Sequence, residues 1–311
     1  MNSRKGFKVP ANSKATPSGL KPKIVKNNPF LKDADVSAVN SVNWANQALN
    51  VVTPGMSYII SLSNTVLTFL LVKNQGQCGS CWANSAAEQI ESQWALEGLD
   101  GDFSIGGEIW EFSVQQIASC TTTCYGCGGG WQQDAYEYIM SLTSANEGLG
   151  SQYFAPYIQS MVTECSSPSC TRACSQLEVS ALTEYSSLTG PFATLSGWDF
   201  VTPTCVTDTL ASNSNTLVSD CNDQNMTAIQ EYLTTSGPMA IVVNAAKWYL
   251  YNGGVMTAEA CGSSSADSLD HAVQLVGFNN TTATPYWIVR NSWSTDWGMN
   301  GYIYLSFPGN T

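Results

Sequence analysis

The 311-residue sequence holds one histidine, His271, and only twelve lysines and arginines against 24 acidic residues. A lone histidine is by default a satisfied core or surface residue, so any chemical role for it needs named partners. Eight of the twelve basic residues fall within residues 1–40, which leaves four against 22 acids beyond and a net charge of −18 there. Such a body repels phosphate backbones, so nucleic acid is excluded as a partner. An acidic compartment or secretion fits better. Long apolar runs are also missing, apart from "GMSYIISLSNTVLTFLL" at residues 55–71, which is barely long enough to cross a bilayer and is interrupted by Ser, Thr and Asn. No membrane partner is expected. The opening "MNSRKGFKVPANSKATPSGLKPKIVKNN" has no apolar h-region and does not read as a signal peptide.

Cysteine, in contrast, is plentiful. Eleven of them, several in loop-like Ser, Thr and Gly surroundings, point to a disulfide framework formed outside a reducing cytosol. An odd number leaves at least one thiol unpaired in a monomer, and an odd cysteine can be a reactive one. Sequons at Asn225, Asn279 and Asn280 would be usable in a secretory lumen. Oxidised chemistry without an export signal leads to the expectation that the true N-terminus lies upstream of this one.

With 43 % hydrophobic residues the chain is globular and long enough for one large domain or two halves. Residues 1–40 read as a linker or pro-segment remnant, 41–175 as a helical lobe and 176–311 as a β-rich lobe. From Cys81 the apolar residues Ala83, Ala86, Ala87, Ile90 and Trp94 recur at helical spacing, which places Cys81 in the first turn of a buried helix. Shorter helices are predicted at "VQQIASC" and from Trp131 to Leu142. Residues 165–225 lack periodicity and read as long loops pinned by disulfides. Beyond Gly237, "MAIVVNA", "HAVQLVGF", "YWIVRNSW" and "GYIYLSF" read as strands separated by turns.

The chemistry concentrates at "LVKNQGQCGSCWANSAAEQ", residues 71–89. A zinc reading of its CxxC would pair it with Cys124 and Cys127 but leaves His271 unexplained. A redox CxxC should follow a strand, and here a loop leads into a helix. A nucleophile uses more of the sequence. A thiol at a helix N-terminus lies at the positive end of the helix dipole, and a nearby imidazolium lowers its pKa further. The amide of Asn291 in "RNSW" can accept a bond from one imidazole nitrogen and turn the other toward the sulfur.

Three stretches, "QGQCGSCW", "DHAVQLVGF" and "YWIVRNSWSTDWGMNGYIYL", resemble the cysteine, histidine and asparagine blocks of the papain and cathepsin L family of cysteine peptidases. The resemblance runs from about Val42 to Leu305. It implies an α+β, papain-like two-lobed fold, a helical left lobe and a β-barrel-like right lobe with the active site in the cleft between. It also implies an endopeptidase made as a zymogen and working through a thioester acyl-enzyme. Cys81 would be the nucleophile, His271 its partner and proton donor, and Asn291 the residue orienting His271, with Trp293 shielding that bond. Gln75 would hold the oxyanion beside the Cys81 N–H. Gly129 and Gly130 of "GCGGGW" would approach the substrate backbone, while Trp131, Val242 and Ala272 would line an apolar pocket for the second residue before the cut. Cys78 would pair with Cys127, and Cys120 with Cys165. Cys170, Cys174, Cys205 and Cys221 would pair among themselves or with Cys124. Protein or peptide substrates and cystatin-type inhibitors are the implied partners of a monomer, in a lysosome, a vacuole or the extracellular space. No cofactor and no metal are called for. A single histidine leaves none for the extra loop histidines of cathepsin B-like carboxydipeptidases.

The chain departs from the family in several places. The histidine and asparagine usually follow the cysteine by roughly 130 to 150 residues, and the spans from Cys81 to His271 and Asn291 are longer. Asn84 stands where an aromatic is usual and Ser294 where a glycine is usual. The resemblance implies a continuation past "LSFPGNT" with a cysteine that would bridge to Cys261 and a segment closing the pocket, so the β-rich lobe is expected to be C-terminally truncated. The apolar insert splits the family's continuous "TPVKNQG", which makes a gene-model error one expectation and an exposed apolar bulge another. The rival readings are a catalytically silent homologue that binds peptides or serves a structural role, and a non-functional fragment of an active parent. Retention of all four of Cys81, His271, Asn291 and Gln75 argues against silence.

Overall fold

A computed structural model describes residues 39–46, 60–62, 65–67, 72–96, 111–142, 148–152, 155–166, 174, 192–202, 225–262 and 268–307. Its organising element is helix α1, Cys81–Leu96. Small residues (Ala83, Ser85, Ala86, Ala87, Ser92) sit on several of its faces, and eleven of its sixteen residues are buried, so structure packs around it on more than one side. On one side lie α2, Val114–Cys120, and α3, Gln132–Ser141. Ser113 starts α2 by accepting the Gln116 N–H at 3.0 Å, the usual way a hydroxyl satisfies an orphan helix donor. Trp82, Ala86, Ile90, Phe112, Ile117, Ile139 and Leu149 form the core there.

The other side of α1 rests on a six-stranded sheet. Its central strand β6, His271–Asn279, pairs with β7, Tyr286–Arg290, along one edge. Along the other edge it pairs in turn with β4, Met239–Val243, and with β1, Ser41–Asn43. Beyond β7 come β8, Tyr302–Ser306, and the short β5, Val255–Met256. Eight of the nine residues of β6 are buried, the pattern of a strand covered on both faces. Helix α4, Met226–Thr235, adds Leu233 to the sheet-side core of Val273, Leu275, Trp287, Val289 and Ile303. All four strands expected from the sequence are present. The sheet also draws in β1 from the N-terminal side, so the helical and sheet halves are not strictly consecutive in the chain.

Within the apolar insert, Ile60–Leu62 (β2) and Thr65–Leu67 (β3) form a separate two-stranded antiparallel pair. Among the described residues no helix is long and apolar enough to cross a membrane. Cys78 and Cys127 are joined. Cys120 is bonded to Cys174, which corrects the expected Cys120–Cys165 pairing. The Cys165 sulfur is spent in a disulfide of its own, and its backbone N–H is tied to Tyr125 O at 2.9 Å, against the 125–128 loop and not at the end of α2. The Cys124 thiol is buried, with its Sγ 3.9 Å from Trp131 O. Residues 1–38 of the expected pro-segment or linker, Cys170, Cys205 and Cys221, and most of the 165–225 stretch lie outside the described residues.

Candidate active site

Two parallel runs of contacts set α1 beside β6. Ser85 Oγ donates to Val273 O at 2.8 Å, and further along Gln274 Nε2 donates to Glu88 O at 3.0 Å and to Ser92 Oγ at 2.9 Å. Helix and strand therefore run in the same direction. Stepping back one helical turn from Ser85 reaches Cys81, a rise of about 6 Å. Stepping back two strand residues from Val273 reaches His271, about 6.6 Å. Cys81 and His271 therefore open the helix and the strand at the same end, and Cys81 shares a core cluster with Ala272, the residue after His271. Cys81 opens α1 with no acidic residue in the first turn, so no side-chain charge there offsets the positive end of the helix.

The ring's tautomer follows from its partner. His271 Nε2 lies 2.7 Å from Asn291 Oδ1, and the Ser292 N–H donates to that same oxygen at 2.8 Å. Two contacts on one atom fix it as the amide oxygen, which can only accept. Nε2 therefore holds the proton, and Nδ1 is left as the basic nitrogen. Asn291 ends one residue past β7, and β6–β7 pairing places it beside the start of β6. Trp293 packs against the imidazole, its ring 4.9 Å from that of His271, and Trp248 meets the imidazole edge-on at 5.9 Å. Tyr249 stacks on Trp293 at 5.0 Å.

Gln75 is held from several directions. Its N–H donates to Ser292 O at 2.9 Å, its Nε2 to Cys78 O at 2.9 Å, and its Oε1 accepts from Ser292 Oγ at 2.6 Å. Next to it Gly76 has a φ of 62°, a left-handed conformation that favours glycine, and a Cβ there would displace the end of the Gln159 side chain. Gln75, Cys81, His271 and Asn291 are all fully buried.

The remaining expected residues are arranged nearby. Val242 and Ala272 are direct cross-strand partners in β4 and β6. Trp131 caps the start of α3, and its neighbour Gln132 reaches Ile241 O at 3.2 Å, which ties this helix end to β4. Gly129 has both backbone groups engaged within its own loop, with Tyr125 N and Gly126 O. At Gly130 the need for glycine comes from packing, since a Cβ would press on Cys124 and Trp82. Sequence reasoning missed Ser292, Ser80, Tyr157 and Trp248. Ser292 sits inside the quoted "RNSW" and could have been found; the others become neighbours only through the fold.

Ser294, standing where the family has glycine, adopts a φ of 69°. Its N–H donates to Lys73 O at 3.1 Å, which holds it there. A side chain in this region costs about 1 kcal/mol or more. Ser294→Gly is expected to raise the unfolding free energy by up to about 1 kcal/mol, read as a higher midpoint in urea. An unchanged or lower midpoint would contradict this.

A thiol on a helix start, an imidazole on a strand and an amide fixing that imidazole are the parts of a cysteine-protease site. Residues 63–310 match the Papain family cysteine protease, and the chain belongs to that family. It is 32 % identical over 285 residues to cysteine proteinase A of Leishmania mexicana, covering 92 % of this chain and 60 % of that one. Against a cysteine proteinase of Trypanosoma brucei brucei it is 32 % identical over 234 residues, 75 % of this chain and 40 % of the other. The chain thus spans about half the length of such relatives. Its fold matches digestive procathepsin L 3 of the Tenebrio molitor larval midgut, with a TM-score of 0.57 and 22 % identity over 98 % of this chain and 71 % of that one. It also matches bromelain of Ananas comosus in complex with the inhibitor E64, with a TM-score of 0.55 and 24 % identity over 88 % and 92 %.

Proposed function

We propose that the protein is a cysteine endopeptidase in which the Cys81 thiolate attacks a peptide carbonyl. Sulfur bonds to the carbonyl carbon while Gln75 Nε2 and the Cys81 N–H receive the oxyanion. His271, charged by the thiol proton, gives that proton to the leaving amine as the C–N bond breaks. Water, deprotonated by His271, then cleaves the thioester and restores the thiol. The observation behind this reading is the His271–Asn291–Ser292 geometry, which leaves Nδ1 as the basic nitrogen on a strand that starts at the same end as the Cys81 helix. Trp131, Val242 and Ala272 suit an apolar side chain in the pocket before the cut. Because all four central residues are buried, the groove must open before a peptide reaches the sulfur, as release of a zymogen would allow. Protein substrates, cystatin-type inhibitors, and a lysosomal, vacuolar or extracellular setting complete the proposal.

The test is alkylation by an epoxide selective for activated thiols, at mildly acidic pH and after any precursor segment is removed. Cys81 should be labelled and peptide hydrolysis lost in step, whereas Cys81→Ser should show neither labelling nor hydrolysis. A wild-type protein that resists labelling and cleaves nothing would instead favour a silent peptide-binding homologue.

A further inference from the structure

Asn84 is an odd occupant of its position. It lies inside α1, only 2 % exposed, beside Ala83, Ala86 and Ala87. Asparagine is poor in helix interiors because its amide competes for backbone partners. Here the amide reaches back one turn: Nδ2 donates to Ser80 O at 3.0 Å and to Ser80 Oγ at 3.3 Å. A carbonyl can only accept, so the atom facing Ser80 is the nitrogen.

The hydroxyl of Ser80 continues the path, at 2.7 Å from Tyr157 Oη, and Tyr157 donates to Gln75 O at 3.1 Å. Tyr157 has one proton, and the Gln75 carbonyl takes it. The 2.7 Å contact must then be donated by Ser80, whose own proton is spent there and whose lone pair is left to accept from Asn84. Only one direction satisfies every atom: Asn84 to Ser80 to Tyr157 to Gln75. Burial and the nearby Cys81 push the Tyr157 phenol up to about 12, so this donor stays protonated at any working pH.

We propose that Asn84 is a positioning residue for the oxyanion donor, acting through Ser80 and Tyr157 to fix the Gln75 peptide and hence the aim of Gln75 Nε2. Ser292 holds Gln75 from the sheet side, and the relay holds it from the helix side. An apolar residue at 84 leaves Ser80 Oγ short of a donor and free to turn away from Tyr157. A donor displaced by a fraction of an ångström loses much of its hold on the transition state. The inference rests on the cysteine-protease reading.

The experiment compares Asn84→Leu and Tyr157→Phe in the wild-type chain and in a Gln75→Ala background, using a fluorogenic peptide and alkylation of Cys81. In the wild-type chain each should lower kcat about tenfold, with KM and the alkylation rate unchanged. In the Gln75→Ala background each should cost less than about twofold, because the donor they aim is gone. Equal losses in both backgrounds, or a parallel fall in alkylation, would overturn the proposal. Tyr157→Phe removes one oxygen only, so it decides the matter even where Asn84→Leu does not fold. Failure of the protease reading shows separately, as a wild-type Cys81 that no epoxide labels. The relay is then read from the Gln75 side-chain amide signals by NMR: both variants should shift them, and unmoved signals would overturn it.

Discussion

Replacing His271 with alanine is expected to lower kcat/KM on a peptide substrate by about 10⁴-fold or more, the usual cost of deleting the base of such a constellation. No second imidazole exists in the chain to substitute for it. The loss has two parts, the proton delivered to the leaving amine and the ion pair that keeps sulfur as thiolate. The second part has its own signature. In the wild-type protein, alkylation of Cys81 should persist well below the ordinary thiol range, because imidazolium at Nδ1 favours the charged sulfur. In His271→Ala the labelling profile should rise toward about pH 8.5, the value for a free thiol. An unchanged labelling profile would mean that His271 does not activate Cys81. Asn291→Ala should show a smaller loss of the same kind, since His271 Nε2 then lacks the 2.7 Å acceptor that fixes its tautomer.

The elements that carry Cys81, His271 and Asn291 were legible because each lies in a short block whose local structure is self-evident. The Ala83–Ala86–Ala87–Ile90 spacing puts Cys81 on a helix start, and "HAVQLVGF" and "YWIVRNSW" are apolar runs of strand length. What was illegible depends on approach between distant segments. Disulfide choice at Cys120 turns on where the 165–174 chain passes, and no periodicity records that path. Helix α4 was hidden because its signal is a lone Asn225 cap accepting from Ala228 before a short amphipathic stretch. Asn84 and Ser294 read as unexplained departures in one dimension. In three, Asn84 donates to Ser80, and Ser294 stands at the positive φ that makes glycine the usual choice.

Glu88→Gln is expected to stabilise the protein at neutral pH by on the order of 3 kcal/mol and to leave it unchanged near pH 4.5. Glu88 is buried between α1 and β7, with Oε1 3.5 Å from Arg290 Nε, beyond ordinary hydrogen-bond range. Desolvation therefore outweighs the attraction of Arg290 and of Lys73, while Glu91 and Glu111 add repulsion, and the carboxyl is pushed up to about 7. Tyr302 faces the same group across Arg290, its phenol raised by burial and so a neutral neighbour. Lys73 is drawn instead to Glu91 at 2.9 Å. A folded carboxyl that holds its proton more tightly than the unfolded chain does contributes stability that is complete below about pH 4.5 and lost as pH rises toward 7. Glutamine cannot ionise, so the variant escapes that loss while matching the protonated form at acidic pH. Urea unfolding at pH 4.5 and pH 7.5 checks this: the two proteins should coincide at the lower pH and separate at the higher. If Arg290 instead held Glu88 ionised throughout, the glutamine variant would be the weaker protein at pH 7.5. Greater stability in acid suits the proposed lysosomal or vacuolar setting, and the group responsible sits one helical turn from Glu91 and beside Arg290, the residue that precedes Asn291.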